Sequence, residues 1–199
     1  EDNLFNSWEL IVGKKIILFP GRLTSWKGQE IFLEAINKVN IQLGHDAFIA
    51  ILLGSDQGRD LYKKKLIRLV EQYRLTNQVK FIEHCKNMPV AYKISNFVVS
   101  ASIEPEAFGR VSVEAQSMQR PILASNIGGS KETIIDNKTG ILFEAGNSDD
   151  MSKKIIELLN LDETTINQMG IEGRKNIINK FNVEKMCFST YSEYKKLIN

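Results

Sequence analysis

Short apolar runs alternate with longer amphipathic stretches along most of this chain, and this alternation restricts its possible folds more than any other feature. The runs are mostly apolar on both faces, which is typical of strands covered by helices on both sides. Alternating strands and helices favour right-handed βαβ units and a parallel sheet. We therefore predict an α/β fold of about six parallel strands, at residues 15–20, 48–53, 79–82, 97–101, 122–124 and 140–143, with helices at 29–43, 60–73, 89–95, 111–118, 131–135 and 148–159.

The strand pattern stops after residue 160. Residues 163–180 and 183–198 predict two closing helices, separated by a break at Phe181 and Asn182. A chain of 199 residues without an internal repeat is long enough for one domain with a substantial core. We predict a single domain over 1–199, with its core at about 14–160 and its closing helices at about 161–199.

Charge and hydropathy exclude several classes of partner. The formal net charge is +2, with both signs spread along the chain, so nucleic acid is not expected as a partner. The longest apolar run, residues 47–53, is far too short to span a bilayer, and the first ten residues lack the pattern of a signal peptide. We expect a cytoplasmic protein. The basic stretch 59–74 is either a solvated face or a peripheral contact with the inner face of the membrane.

Ligands of open α/β sheets bind at the carboxyl ends of the strands, so the loops that follow the strands are the candidate site. The first of these loops, residues 19–28, carries Arg22 and Lys27 between Gly21 and Gly28. A guanidinium and an ammonium next to flexible glycines are suited to clamp a diphosphate. The alternative is a solvated turn with two surface cations.

The loop after the fourth strand leads into a helix that we expect to begin near Gly109. The unsatisfied amides and the positive dipole end of such a helix would hold a phosphate. Glu106 precedes this helix and Glu114 lies within it, about 12 Å further along a helical axis. We interpret the two carboxylates as contacts to different parts of one long ligand, the alternative being that both face water.

A third loop, residues 125–133, has a Gly-Gly turn whose backbone can approach a sugar or phosphate, and Glu132 either serves there or caps the helix. Neither His45 nor His84 has the context of a catalytic triad. The chain has no DxD pair for a metal-bound nucleotide sugar and no GxGxxG for a dinucleotide. We therefore expect no metal and no cofactor.

Taken together, the segments GRLTSWKG and EPEAFGRVSVEAQSMQRPILASNIGGSKETI resemble the C-terminal half of the retaining group-one (family 4) glycosyltransferases of the GT-B fold. The resemblance extends over about residues 14–159. It implies a Rossmann-like sheet that forms one half of a GT-B enzyme. It also implies metal-independent transfer of a sugar from a nucleotide diphosphate sugar to a glycan or lipid-linked acceptor, as in the synthesis of cell-envelope polysaccharides.

The resemblance also implies roles for individual residues around the donor's diphosphate and sugar. Gly21, Arg22 and Lys27 match the loop that holds the diphosphate and neutralises charge on the leaving group. Glu106 matches the catalytic glutamate beside the transferred sugar. Whether it is a nucleophile or an electrostatic support for a same-face displacement stays open.

Further roles follow along the fourth-strand loop. Ala107, Phe108 and Gly109 match the segment whose backbone meets the sugar and phosphates. Glu114 matches the residue that binds the ribose hydroxyls, and His84 lies in the segment expected near the nucleobase. Arg110 departs from the apolar residue that many members carry, and it either adds a phosphate contact or covers the surface.

Members of the family are about twice as long as this chain, and an N-terminal domain binds their acceptor. That domain is expected to be absent here, so the chain alone should bind the donor but hardly turn it over. Two other interpretations stay open at this point. One is a sugar-nucleotide-binding module without catalysis, and the other is an epimerase or phosphorylase on the same fold.

Overall fold

The computed structural model describes residues 2–44 and 47–198, so His45 lies outside the described residues. Six parallel strands form one sheet in the order β3-β2-β1-β4-β5-β6. This confirms the predicted Rossmann-like α/β fold. The strands are β1 Lys15–Pro20, β2 Phe48–Leu53, β3 Val79–Ile82, β4 Phe97–Ser100, β5 Ile122–Ser125 and β6 Gly140–Phe143.

The helices connect successive strands and then close the chain, as the periodicity predicted, with shifts of one or two residues at several ends. A first helix before β1 was not predicted, because its six residues are too few to show a helical period. The helices are α1 Asp2–Ser7, α2 Gln29–Leu43, α3 Asp60–Gln72, α4 Met88–Ile94, α5 Arg110–Ser117, α6 Ser130–Thr133, α7 Ser148–Asn160, α8 Glu163–Lys180 and α9 Val183–Ile198.

The strand order creates a point where the chain reverses direction across the sheet. The chain runs outward from β1 through β2 to β3, and then returns to place β4 on the other side of β1. The loops after β1 and β4 therefore leave the same edge of the sheet in opposite directions. Such a switch point is where open α/β sheets form their ligand crevice.

Apolar side chains fill both faces of the sheet. One cluster packs β1 and β2 against α2, α3 and α7, with Phe32, Leu66 and Ile155 fully buried. The other packs the opposite face against α4 and α5, around Ala91 and Ala115. Every residue of β2 is buried, which is why its sequence shows no alternation. The rigid sheet holds the loops at its carboxyl edge in fixed positions.

The two closing helices differ in how they pack. Helix α8 begins on the first face of the sheet and ends against α5, where Gly170 and Gly173 allow close approach. A Cβ on Gly170 would lie 2.1 Å from the Gln119 carbonyl oxygen. In α9, by contrast, none of the residues described by the structure is buried. Of the two helices, only α8 therefore has buried residues among those that the structure describes.

No helix within residues 2–44 and 47–198 has the length and apolar character that a membrane crossing requires. Both cysteines are free thiols, with Cys85 buried and Cys187 exposed.

Candidate functional site

The loops after β1 and β4 touch directly at the switch point. The Ile103 amide donates a hydrogen bond to the Trp26 carbonyl at 2.8 Å. A Cβ on Gly28 would lie 1.9 Å from the Ala101 carbonyl oxygen, and Gly28 has φ +78°, so this position requires glycine on both counts. The two loops thus form one continuous wall at the carboxyl edge of the sheet.

An open cavity of about 730 Å³ lies beside this wall. It brings together five of the residues predicted from the sequence, which come from three different segments of the chain. These are Gly21, Arg22, His84, Arg110 and Glu114. Arg22 and Arg110 supply two exposed cations from separate elements, whereas Cys85, Met88 and Met118 supply an apolar part of the lining. A cavity with both kinds of lining is suited to a ligand with a charged and an apolar part.

Lys27 and Glu106 form an ion pair at the edge of this cavity. Lys27 Nζ lies 2.8 Å from Glu106 Oε1, and the Ser102 hydroxyl donates a hydrogen bond to the same oxygen. Both side chains of the ion pair are largely covered, with 13% and 20% of their surface exposed. The Lys27 side chain also passes Gly21, because a Cβ at Gly21 would lie 3.9 Å from Lys27 Cδ. Lys27 therefore lies between the cavity and Glu106.

The Gly-Gly turn supports the loop after β4 from behind. The Gly129 amide donates to the Glu106 carbonyl at 2.8 Å, and a Cβ on Gly128 would lie 2.5 Å from that same oxygen. A Cβ on Gly129 would lie 2.5 Å from the Phe108 carbonyl carbon. Glu132 lies in the first turn of α6, where a carboxylate suits the positive end of the helix dipole, and no side chain caps this helix with a hydrogen bond. The turn therefore contacts the segment that carries Glu106 and Phe108.

Helix α5 begins immediately after Gly109, as predicted. Gly109 is its N-cap, with φ +75°, and no side chain caps the first amides of the helix. A Cβ on Gly109 would lie 3.7 Å from the Ser130 amide nitrogen, so the start of α5 lies next to α6. Arg110 is the first residue of α5 and lines the cavity, so the positive end of the helix dipole lies next to the cavity.

Glu114 projects from α5 into the same cavity and is held by a residue that the sequence analysis missed. The Tyr92 hydroxyl donates a hydrogen bond to Glu114 Oε2 at 2.7 Å. Burial raises the pKa of Tyr92 well above its usual range, and the hydrogen bond to Glu114 raises it further. Tyr92 therefore acts as a neutral donor that leaves Glu114 Oε1 for another partner.

Gln29 is a second residue that the sequence did not indicate. It is fully buried, and its Nε2 donates to the Arg22 carbonyl at 2.8 Å. The Tyr62 hydroxyl donates in turn to Gln29 Oε1 at 3.2 Å. These bonds fix the backbone from which the Arg22 side chain extends. A polar residue at the start of an otherwise apolar helix face was the only sequence signal for this role.

The other predicted residues are not among those that line the cavity; these are Lys27, Glu106, Ala107, Phe108 and Gly109. Ala107 and Phe108 are exposed in the loop between Glu106 and Gly109. Arg22 and Lys27 are predicted to act on one diphosphate. Arg22 lines the cavity beside Gly21, whereas Lys27 passes Gly21 on its way to Glu106. Over the described ranges, no group of three or more His, Cys, Asp or Glu side chains is placed to hold a metal ion.

Comparison with known proteins gives relatives for the whole described fold. The chain is 30% identical over 191 residues to the spore coat protein SA of Bacillus subtilis, covering 92% of this chain and 49% of that protein. A glycosyltransferase structure from Rickettsia africae superposes with a TM-score of 0.91 at 30% identity, covering 100% of this chain and 52% of that one. The structure of Anabaena HepE in complex with UDP and glucose superposes with a TM-score of 0.86 at 25% identity, covering 98% of this chain and 51% of that one.

The chain spans about half the length of the curated relatives it matches. A family model described as glycosyl transferases group 1 matches residues 1–176, which includes every loop of the candidate site. The sheet order, the switch-point cavity and this match agree with one another. On these grounds the chain belongs to the group 1 glycosyl transferases.

Proposed function

We propose that this chain binds a nucleoside diphosphate sugar in the cavity at the switch point. Within a complete cytoplasmic enzyme, an N-terminal acceptor domain would supply the other wall. That enzyme would transfer the sugar, with retention and without a metal ion, to a glycan or lipid-linked acceptor of the cell envelope. The observation that carries the proposal is the convergence of Arg22, Lys27 and the start of α5 beside Gly21.

The diphosphate would lie between the two arginines of the cavity. Arg22 and Arg110 face it from different elements, and the first turn of α5 adds amides and a positive dipole end. Lys27 adds a third cation at the edge. These fixed positive groups would stabilise the charge that grows on a leaving nucleoside diphosphate, which is the task a divalent ion performs elsewhere.

The nucleoside would occupy the other end of the cavity. Glu114 Oε1 is available to accept hydrogen bonds from ribose hydroxyls, because Tyr92 binds the other carboxylate oxygen. The base would lie near His84, where Cys85 and Met88 provide apolar contacts. With the nucleoside at that end, the sugar would lie at the edge of the cavity where Glu106 is located.

Glu106 would act on the sugar, as a nucleophile or as an electrostatic support. Its Oε1 accepts bonds from Lys27 and Ser102, so Oε2 has no such partner among the described residues. Lys27 would bridge Glu106 and the diphosphate, which couples the carboxylate to the charge of the leaving group.

Calorimetric titration of the chain with UDP-glucose, GDP-mannose and ADP-glucose, and with their nucleoside diphosphates, tests the proposal. We expect Arg22→Ala and Lys27→Ala each to weaken binding of the best ligand at least about tenfold, the scale of a charged hydrogen bond. Lys153→Ala, an exposed lysine on α7 outside the cavity, is the matched control. Unchanged affinity in both test variants would contradict the assignment.

A further inference from the structure

An aromatic contact joins the loop after β4 to the end of α8. The Phe108 ring meets the Phe181 ring edge-on, with centroids 5.6 Å apart and planes inclined by 66°. An edge-to-face arrangement is one of the two that aromatic pairs prefer. Phe108 is nevertheless 44% exposed, so Phe181 covers only one side of it.

The backbone of Phe108 is held from a different direction. Gly129 packs directly against it, as the 2.5 Å approach of a hypothetical Cβ shows. The segment from Glu106 to Gly109 therefore has a backbone support in the Gly-Gly turn and a side-chain support in Phe181. Gly109, the last residue of this segment, is the N-cap of α5.

Phe181 is a firm support because α8 is anchored just before it. A buried amide, Asn176 Nδ2, donates to the Thr133 carbonyl of α6 at 2.9 Å. A Cβ on Gly173 would lie 3.0 Å from Gln116 Cγ of α5. Helix α8, whose C-cap is Phe181, is thus fixed to both α5 and α6. In α9, which follows, none of the described residues is buried.

We propose that Phe181 is a positioning residue for the donor loop. It holds the Phe108 ring, so that the backbone of Gly109 and Arg110 stays directed at the diphosphate and sugar of a bound nucleoside diphosphate sugar. This role rests on the proposed function. Loss of the ring would let the loop sample more conformations, and binding would then have to order it again. The nucleoside end, at Glu114 and His84, would be unaffected.

The test compares Phe181→Ala with Phe181→Tyr, and with Phe188→Ala as the matched control. Phe188 lies on α9 and is 72% exposed. The ligands are UDP-glucose, GDP-mannose and ADP-glucose, with the free nucleosides of each. We expect Phe181→Ala to lower the affinity for the best sugar nucleotide about fivefold without changing nucleoside affinity. Phe181→Tyr should restore it, and Phe188→Ala should match the wild type.

A second measurement needs no ligand. Hydrogen exchange at the amides of Gly109, Arg110 and Val111 should be about fivefold faster in Phe181→Ala than in the wild type or Phe188→Ala. If Phe181→Ala does not fold, Phe181→Leu keeps the apolar bulk and should show the same change at about half the size.

The outcomes separate this role from the proposed function. Wild-type affinity and wild-type exchange in the Phe181 variants would overturn the positioning role alone. A wild-type chain that binds none of the three sugar nucleotides would overturn the proposed function and the role with it. Equal losses for nucleoside and sugar nucleotide in Phe181→Ala would also contradict the role, because they would indicate a general loss of structure.

Discussion

Glu106 and Glu114 belong to one motif, but the fold surrounds them differently. Glu106 precedes α5 at the edge of the cavity, where an ammonium group and a hydroxyl share its Oε1. Glu114 lies within α5, where its Oε2 accepts a hydrogen bond from a phenol. One carboxylate is therefore compensated by a cation, whereas the other is held by a neutral donor and keeps its charge exposed to the cavity.

The difference indicates separate tasks for the two carboxylates. Lys27 can exchange its bond to Glu106 for a bond to a phosphate, so the state of Glu106 depends on what is bound beside it. Tyr92 differs from Lys27 because burial raises its pKa and keeps it neutral, so a phosphate attracts it less strongly than it attracts the Lys27 ammonium group. The hydrogen bond from Tyr92 therefore orients Glu114, which suits the proposed recognition of ribose.

Glu114→Ala should cause the largest change. We expect an affinity loss of about tenfold for the best nucleoside diphosphate, because charge-assisted hydrogen bonds to the ribose disappear. Discrimination against the 2′,3′-dideoxy nucleotide should disappear with them. Calorimetry with both nucleotides measures this, and equal binding of the two by the wild type would contradict the assigned role.

Glu106→Ala should act in the opposite direction on the sugar-free ligand. Removing the carboxylate releases Lys27, so affinity for the nucleoside diphosphate should rise about threefold, the scale of an ion pair near the surface. Affinity for the sugar nucleotide should rise less, because the variant also lacks the carboxylate beside the transferred sugar. A fall in nucleoside diphosphate affinity equal to that of Glu114→Ala would show that the two residues do not differ as described.

Tyr92→Phe should lower nucleoside diphosphate affinity only about twofold, since Glu114 keeps its charge and loses one neutral hydrogen bond. Titration of this variant beside Glu114→Ala measures the difference. A loss as large as that of Glu114→Ala would mean that Tyr92 itself binds the ligand.

The raised pKa of Tyr92 predicts that the free energy of unfolding depends on pH in the alkaline range. In the unfolded chain Tyr92 ionises near pH ~10, whereas the folded chain keeps it protonated at higher pH. The unfolded state then binds fewer protons, so the free energy of unfolding should fall as the pH rises above about 10. Denaturant unfolding between pH 8 and 11.5 should show a shallower fall in Tyr92→Phe. Identical slopes of unfolding free energy against pH in Tyr92→Phe and the wild type would contradict the raised pKa of Tyr92.

Ser102→Ala should have the smallest effect. Glu106 keeps its ion pair with Lys27 and loses only a hydroxyl donor, so we expect affinity for the sugar nucleotide to change less than about twofold. Titration with the best sugar nucleotide checks this. A loss of tenfold would show that the hydroxyl, rather than Lys27, sets the position of Glu106.

The sheet was predictable from the sequence because its strands are buried on both faces. Their apolar runs gave the bounds of β1, β2, β3 and β6 without error, while β4 and β5 each differed by one residue. Helix α9 shows the limit of this approach. Its periodicity predicted a helix correctly, but a period reports which residues share a face and not what covers that face.

The charged and glycine-bearing positions of the site were also visible in the sequence, because Arg22, Lys27 and Gly109 stand at the ends of predicted elements. The residues that hydrogen-bond to the site residues were not predicted from the sequence. Tyr92 lies on an ordinary helix and reaches Glu114 only through the order of the strands and the packing of α4. Gln29 follows Arg22 by seven residues, and its only sequence signal was a polar side chain at the start of an apolar helix face. Ser102 could have been found from its spacing, four residues before Glu106, where a turn brings hydroxyl and carboxylate together.

The central claim is that Arg22, Lys27 and the start of α5, which carries Arg110, meet on one diphosphate without a divalent ion. Backbone amide chemical shifts, recorded during titration of the chain with the best nucleoside diphosphate in the presence of EDTA, test it most directly. The account predicts saturable shifts at Gly21, Arg22 and Gly109 to Val111 with a single dissociation constant. Shifts at only one of these loops, or binding that disappears with EDTA, would contradict it.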